Sequence, residues 1–194
     1  MIKRIFSIVL IGLSLGVFAQ KNEKGVLFEQ KKQLSFGQGQ FKYESKKNVK
    51  IKESFTVVFW AKQMDGVSTS MVIGHGAKDV ELLLEKNQGR ALHIGFRGNG
   101  QFTFAFYYDD LDTPFSYDEG WHQYACVYNS KNNERQIYID SIFVASDQPK
   151  GKYIGKGKLY IGGTSYRATN FEGHIKNVKV FDHALTNIEV SELK

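Results

Sequence analysis

The chain has 194 residues, of which 42% are hydrophobic and 14% aromatic, and it contains a single cysteine. This length favours one domain, and the apolar and aromatic content can build a buried core, which excludes intrinsic disorder. One cysteine excludes an intrachain disulfide framework and a zinc site of the CxxC type. The net charge of +6 includes Lys3 and Arg4, and the remaining excess is spread along the chain. That distribution argues against nucleic acid as a partner.

The first 19 residues have the pattern of a secretory signal peptide. Two basic residues precede an apolar run over 5–17, and Ala19 supplies the small residue of a cleavage point. The run is shorter than the roughly 20 residues of a membrane anchor, and no cysteine follows it that could carry a lipid. We therefore predict cleavage before Gln20, a mature chain of residues 20–194 without a membrane span, and secretion to the extracellular space or the periplasm.

The mature chain alternates between β-rich runs and turn residues spaced about 8–12 residues apart, which is typical of an antiparallel sandwich or barrel. The run FTVVFWA is the strongest candidate for a central strand because it is β-branched and aromatic throughout. Gly98-Asn99-Gly100 between two alternating runs predicts a hairpin. The main predicted strands are 55–61, 71–73, 80–84, 91–96, 101–108, 121–128, 135–140, 142–146, 158–161 and 173–181.

The C-terminal segment is the exception to the strand pattern. Thr186 and Glu189 have the spacing of a capping box, and Leu185 and Val190 have that of the hydrophobic staple which accompanies it. We expect a short terminal helix docked on the sheets. No linker or repeat interrupts the series, so residues 20–194 form one domain in this interpretation.

Several segments together carry a resemblance to a known family: LSFG (34–37), FTVVFWAK (55–62), WHQYACVY (121–128), IYID (137–140), VAS (144–146), LYIG (159–162), FEGHIKNVKVF (171–181) and ALT with Glu189. In this order and spacing they resemble the laminin-G-like, concanavalin A-like jelly-roll domains of secreted bacterial proteins. The resemblance implies an all-β fold, a two-sheet antiparallel jelly-roll sandwich, here with a short C-terminal helix. It also implies binding of carbohydrate or protein outside the cell.

The chain departs from the family pattern at two places. Relatives often carry acidic residues after the early Phe-Gly motif, where this chain has Gln38-Gly39-Gln40. The family also favours Asp-Gly in the hairpin after Ile139, where this chain has Asp140-Ser141. Because a type I′ turn needs positive φ at both central residues, serine should cost up to about 1 kcal/mol there relative to glycine.

This superfold also hosts glycosidases that use a strand of carboxylates, and the nearest match to that strand here is Glu81-Leu-Leu-Leu-Glu85. The two glutamates share a face, but four residues of strand separate them by about 13 Å, against the roughly 5–9.5 Å that glycoside hydrolysis needs. Leu83 occupies the middle position, so two solvated glutamates are the better interpretation. No nucleophile-elbow, zincin, dinucleotide or P-loop motif occurs, and the five histidines lack metal-ligand spacing.

Two aromatic residues are candidates for a carbohydrate platform, which requires exposed rings beside polar groups. Trp60 alternates with Lys62 on the more polar face of its strand, although a tryptophan covered by a loop or by the terminal helix is the more common arrangement. Tyr107 lies on the face of its strand opposite the phenylalanines and enters an acidic segment.

That acidic segment contains Asp109, Asp110 and Asp112, followed by Pro114. Three carboxylates within four residues offer the hard oxygen ligands that Ca²⁺ prefers, and Asp109 and Asp110 could also contact a ligand. The alternative is an ordinary turn, since Asp and Pro favour turns. In either case we expect a cation or a cationic side chain close to this predicted loop.

The leading functional hypothesis is a secreted, non-catalytic binding domain for a polysaccharide or glycan, or for a cell-surface protein. The alternative is a glycoside hydrolase or lyase with an unrecognised active site on the concave sheet, and a third class is an adhesive or structural surface component. The clusters of lysines at 46–52 and 150–158 could bind an anionic polysaccharide, but strand lysines more often protect edges.

Overall fold

The computed structural model describes residues 24–37, 42–64, 69–76, 91–106, 109–116, 118–151, 153, 157–164 and 171–193. The predicted leader, Gln38 to Gln40, the strand predicted over 80–84 with Glu81 and Glu85, and Tyr107 lie outside these residues. The elements are β1 (Val26–Gln30), β2 (Leu34–Phe36), β3 (Tyr43–Glu44), β4 (Phe55–Gln63), β5 (Ser70–His75), β6 (Leu92–Phe96), β7 (Gln101–Phe106), β8 (Asp110–Ser116), β9 (His122–Asn129), β10 (Glu134–Ile139), β11 (Ile142–Asp147), β12 (Leu159–Ile161), β13 (Gly173–Phe181) and α1 (Asn187–Glu192).

The strands form two antiparallel sheets that pack face to face. One sheet has seven strands in the order β1-β13-β4-β9-β10-β11, with β2 also paired to β13. The other has six strands in the order β3-β12-β5-β6-β7-β8. Sequence-distant strands are neighbours in both sheets, as in β13 between β1 and β4. The predicted two-sheet antiparallel jelly-roll sandwich is therefore confirmed.

The space between the sheets is filled by aromatic side chains, because alternate residues of the central strands point inward. Phe55 and Phe59 of β4 and Phe104 of β7 are fully buried. The rings of Phe102 and Tyr124, which belong to opposite sheets, contact each other with centroids 4.4 Å apart. Burying each such side chain contributes about 1.5–3 kcal/mol. Burial of these aromatic side chains thus stabilises the sandwich, which has no intrachain disulfide because the chain contains a single cysteine.

Helix α1 covers part of the face of the seven-stranded sheet that is turned away from this core, which we call the outer face. The capping box is confirmed, because the Thr186 hydroxyl accepts a hydrogen bond from the Glu189 amide while the Glu189 carboxylate accepts one from the Thr186 amide. Leu185 and Val190 are buried with Val58 of β4 in a second, smaller apolar cluster. No helix among the described residues has the length and apolarity needed to cross a membrane.

Two predicted turns have the expected geometry. Asp140 and Ser141 connect β10 to β11 with φ values of 51° and 66°, as a type I′ turn requires, and Ile139 pairs with Ile142 across it. Between β6 and β7, Gly100 takes a φ of 81° at the end of the loop, a conformation that suits glycine.

The prediction of a loop at the acidic segment is wrong. Residues 110–116 form β8, which pairs with β7 at the edge of the six-stranded sheet. Leu111 and Thr113 are buried while Asp110 and Asp112 are exposed, so the segment alternates as a half-buried strand does. The high content of Asp and Pro concealed this alternation, because both residues are common in turns as well as on edge strands.

Candidate functional site

Both tryptophans of the chain lie on the outer face of the seven-stranded sheet. Trp60 is on β4, directly opposite Lys176 of β13 and Gln123 of β9. Trp121 lies two residues before Gln123 and therefore on the same side of the sheet. Both side chains are half-buried rather than covered. Trp60 thus has the exposure that a role in binding requires, although that role remains a prediction.

Lys176 connects the two tryptophans. Its Nζ lies 4.2 Å from the centroid of the Trp121 ring and 5.6 Å from that of Trp60, so both rings make cation–π contacts with one ammonium group. Among the described residues no carboxylate lies within ion-pair distance of this ammonium group. Trp121 also stacks on His174 with centroids 6.2 Å apart and an interplanar angle of 28°. We call Trp60, Trp121, His174 and Lys176 the tryptophan–lysine surface.

A pocket of about 200 Å³ adjoins this surface at Trp60. It lies where α1 ends, because Gln123 of the pocket donates a hydrogen bond of 2.6 Å to the carbonyl of Leu193. A bulge in β13 places Asn177, with a φ of 51°, at its wall. The charged lining side chains are Lys31, Lys179 and Glu29, and both lysines lie within 4 Å of the Glu29 carboxylate. The pocket is therefore polar, with two cations and one anion.

The Trp121 end of this surface is held by the histidine that follows it. His122 Nδ1 lies 2.6 Å from Asp140 of the β10–β11 turn, and Nε2 lies 3.0 Å from Asp118. Partial burial lowers the pKa of His122, but the hydrogen bonds and charges of Asp140 and Asp118 outweigh it and raise the pKa above its ordinary value. In the sequence, His122 is one of five histidines without metal-ligand spacing, and no partner for it is evident. The structure places it between two carboxylates, which fixes the segment carrying Trp121.

The three aspartates proposed as calcium ligands point to two different guanidinium groups. Arg97 pairs with Asp110 at 2.7 Å and with Asp112 at 3.0 Å. Asp109, almost buried, lies 3.2 Å from the buried Arg135. The expected cationic partners are therefore arginines. Within the described part of the chain no group of three His, Cys, Asp or Glu side chains could hold a metal ion. Calcium binding stays a prediction.

The sequence predicts one member of the tryptophan–lysine surface and not the others. The alternation of β4 points to Trp60. Trp121, His174 and Lys176 come from two other strands, and nothing in those strands reveals that they neighbour β4. A usable signal was the strand alternation itself, which puts residues 174 and 176 on the polar side of β13.

The comparisons with known proteins agree with this architecture. The family model described as "Concanavalin A-like lectin/glucanases superfamily" matches residues 36–191. The chain belongs to this superfamily. The resemblance drawn from the sequence is thus confirmed. No match was found among curated proteins compared by sequence.

Solved structures similar to this concanavalin A-like domain include carbohydrate-binding modules. The CBM40 module of the Ruminococcus gnavus IT-sialidase, bound to α2,3-sialyllactose, has a TM-score of 0.67 at 17% identity over 86% of this chain and 97% of that one. A leech intramolecular trans-sialidase has a TM-score of 0.66 at 18% identity, over 88% of this chain but 28% of that larger one. A Limulus polyphemus pentraxin has a TM-score of 0.63 at 15% identity, over 82% of this chain and 79% of the other. At these identities the similarity establishes the fold.

Proposed function

We propose that the chain is a secreted, non-catalytic carbohydrate-binding domain that recognises acidic sugars through the tryptophan–lysine surface. The two tryptophans of the chain are half-exposed on the same sheet face with an ammonium group between them, which is the observation that supports this function. Indole rings provide flat apolar area for the C–H face of a sugar, and the neighbouring polar groups can bond its hydroxyls.

The preference for acidic sugars follows from the charge of Lys176. No described carboxylate neutralises this ammonium group, so a carboxylate or sulfate on a ligand can provide its counter-charge without displacing a protein partner. Lys62 lies in register opposite His174 on the same face and adds a second cation. The CBM40 module with this fold is bound to sialyllactose, a sugar that carries a carboxylate, which supports the same ligand class.

A binding role is favoured over hydrolysis by the carboxylates available at the surface. Glycosidases commonly use two carboxyl groups on either side of the scissile bond. Of the described residues that line the pocket, Glu29 alone carries a carboxylate, and it lies beside Lys31 and Lys179. A general acid and a nucleophile are therefore not both present there.

Glycan binding tests the proposal directly. We expect the mature chain to bind sialylated or other acidic glycans on an array, and isothermal titration should show that Trp121→Ala and Trp60→Ala weaken binding about tenfold or more, equivalent to about 1.4 kcal/mol. Lys176→Gln should weaken binding of acidic glycans more than of neutral ones and reduce its salt dependence. Lys131→Gln, which changes an exposed lysine in the β9–β10 turn, is the matched control.

Three results would contradict the binding of acidic sugars at the tryptophan–lysine surface. Release of products from a panel of polysaccharides would support the hydrolase or lyase alternative. Binding that both tryptophan variants leave unchanged would place the site elsewhere on the domain. An array without hits, together with capture of a cell-surface protein, would support the protein-binding alternative.

Secretion is proposed from the leader pattern of residues 1–19. Intact mass spectrometry of the exported protein should give a chain that begins at Gln20, with or without cyclisation of that glutamine. A full-length mass in the exported fraction would contradict cleavage at Ala19.

A further inference from the structure

A second cleft lies on the outer face of the seven-stranded sheet, at the opposite end of α1 from the pocket beside Trp60. Its volume of about 560 Å³ is within the roughly 300–1,000 Å³ that is typical of small-molecule sites. Residues 184–188 form one wall, the outward side chains of β9 and β10 form the floor, and Asn132 of the β9–β10 turn lies at one end.

The polar lining of this cleft consists mainly of carboxamides. We call it the amide cleft, after its side chains Asn129, Asn132, Glu134, Gln136 and Asn187. Each carboxamide offers both a hydrogen-bond donor and an acceptor. Of the described residues that line the cleft, Glu134 alone is charged. The amide cleft is therefore weakly anionic, whereas the tryptophan–lysine surface near the other end of α1 is cationic.

Two of the amides are held in place by a buried tyrosine. Tyr138 is 2% exposed, and its hydroxyl lies 3.0 Å from the side-chain oxygen of Gln136 and within hydrogen-bond distance of that of Asn187. Each amide uses one of its two polar atoms in this contact, and within the described part of the chain the other atom has no hydrogen-bond partner. Because both side chains are already ordered, a ligand that binds them costs little side-chain entropy.

The opposite side of the amide cleft offers acceptors next to a donor. Asn132 donates to one carboxylate oxygen of Glu134 at 2.8 Å, which leaves the second oxygen and the Asn132 carbonyl as acceptors. Asn129 lies in register opposite Glu134. Its side-chain oxygen accepts the Lys131 backbone amide at 3.1 Å, so its NH₂ group remains a donor. Donors and acceptors thus alternate around the cleft.

We propose that the amide cleft binds a pyranose unit of an uncharged sugar. A sugar hydroxyl both donates and accepts, so neighbouring hydroxyls match NH₂ groups that lie beside carboxylate and carbonyl oxygens. Ile188, which is 71% exposed, adds an apolar surface for the C–H groups of the ring. An acidic sugar is disfavoured, because its carboxylate would lie near Glu134 without a lysine, arginine or histidine in the described lining.

A peptide matches the amide cleft less well. Strands β9 and β10 are hydrogen-bonded to neighbours on both sides, so the floor has no free backbone edge to which an extended peptide could add. Ile188 is the one large exposed apolar side chain among the described lining residues, whereas a bound amphipathic helix needs several apolar anchors. The proposed donors are side-chain amides, since the capping box already uses the Glu189 backbone amide.

Nuclear magnetic resonance of the ¹⁵N-labelled mature chain tests this site with three neutral disaccharides, lactose, maltose and cellobiose, at millimolar concentration. We expect at least one of them to shift the side-chain NH₂ resonances of Gln136 and Asn187 and to leave the indole N–H resonances of Trp60 and Trp121 in place. Glucuronate, an acidic monosaccharide, should not shift the NH₂ resonances.

Two substitutions remove one amide each. We expect Asn187→Ala and Gln136→Met to raise the Kd of that disaccharide about fivefold each, which corresponds to the loss of one hydrogen bond. The circular dichroism spectrum should be unchanged, because the Tyr138 hydroxyl keeps one amide partner in either variant. Asn99→Ala is the matched control, since Asn99 is an exposed amide in the β6–β7 turn of the other sheet, and it should bind as the wild type does.

The proposal is overturned if none of the three disaccharides shifts the Gln136 and Asn187 NH₂ resonances, or if Asn99→Ala weakens binding as much as Asn187→Ala. Unglycosylated peptides that shift these resonances where the sugars do not would assign the cleft to a protein segment instead. The same spectra separate this site from the proposed function. If glucuronate fails to shift the indole resonances while a neutral disaccharide still shifts the NH₂ resonances, the proposed function fails and the amide cleft stands.

Discussion

Ser141 holds a left-handed backbone conformation that its side chain disfavours. Its φ is 66° and that of Asp140 is 51°, the two positive values that a type I′ turn needs. We expect Ser141→Gly to raise the free energy of unfolding by about 0.5–1 kcal/mol, because glycine adopts positive φ without a steric penalty. Chemical denaturation measures the gain: we expect a higher midpoint and an unchanged slope for Ser141→Gly.

Asp140→Gly is the informative comparison for that change. The Asp140 carboxylate accepts the Gln123 amide at 2.9 Å and contacts His122, so glycine should lower stability there despite the same relief of backbone strain. A Ser141→Gly midpoint equal to or below that of the wild type would mean that the Ser141 hydroxyl contributes as much as the backbone strain costs.

His122 makes part of the stability dependent on pH. Its pKa is raised by Asp140 and Asp118 despite partial burial, so the protonated form is favoured in the folded state. The stabilisation is fully present below the unfolded pKa of about 6.5 and is lost as the pH rises through the higher folded pKa. We expect the thermal midpoint to fall as the pH rises above about 6.5 through the neutral range, and His122→Gln to remove that part of the fall. His183→Gln changes a more exposed histidine beside Asp182 and should leave the fall of the thermal midpoint unchanged.

A flat midpoint over that range, or an equal fall in His122→Gln, would show that the contacts with Asp118 and Asp140 do not stabilise the folded state. The predicted fall would also bear on ligand binding, since the same contacts fix the segment that carries Trp121.

At the level of secondary-structure elements, β8 shows where sequence reasoning failed and why. Its alternation is real, because Leu111 and Thr113 face inward and the Thr113 hydroxyl accepts the Phe102 amide at 3.0 Å. Asp110 and Asp112, which alternate with these two residues, pair with Arg97 of the β6–β7 turn. A contact between residues 13–15 positions apart depends on the pairing of β7 with β8, and that pairing was not assigned from the sequence. The aromatic strands β4 and β7 were predicted directly, because their own residues indicate a strand without knowledge of which strand lies beside them.

The calcium hypothesis for Asp109, Asp110 and Asp112 can be tested on this strand. Since Arg97 competes for two of the carboxylates, we expect a small rise of the thermal midpoint in millimolar Ca²⁺ relative to EGTA, a larger rise in Arg97→Gln, and none in Asp110→Asn. A ligand that binds only the folded state stabilises it by about 2.7 kcal/mol at a hundredfold excess over Kd. Identical curves in both buffers for all three proteins would leave the aspartates as partners of arginines and remove calcium from the site.

Across the whole molecule, the sequence predicted most strands well, but it did not predict which strands are neighbours in the sheets. Alternating apolar residues identify a strand and its buried face wherever one face contacts the core, as on β4, β9 and β13. They do not reveal which strands are neighbours, and the tryptophan–lysine surface exists only because β13 lies beside β4 and β4 beside β9. Its residues are therefore more widely spaced in sequence than any local pattern can detect.

One buried charge joins the two sheets. The Arg135 side chain, on β10 of the seven-stranded sheet, is fully buried and donates to the Phe104 carbonyl of the six-stranded sheet at 3.2 Å. It also contacts Asp109 at 3.2 Å and Asp147 at 2.6 Å. The guanidinium lies 5.0 Å from the centroid of the Phe106 ring. Arg135 thus neutralises two carboxylates where the sheet edges meet.

We expect Arg135→Met to lower the free energy of unfolding by about 3–5 kcal/mol, because methionine fills much of the volume but leaves the Asp109 carboxylate buried without a cation. Urea denaturation measures the loss. Adding Asp109→Asn should recover part of it, since the amide is neutral and its oxygen can still accept from the Lys150 or Gly151 amide, as the Asp109 carboxylate does at 2.6 and 3.1 Å. If the double variant is no more stable than Arg135→Met, the loss comes from packing and hydrogen bonds across the sheets rather than from the uncompensated charge.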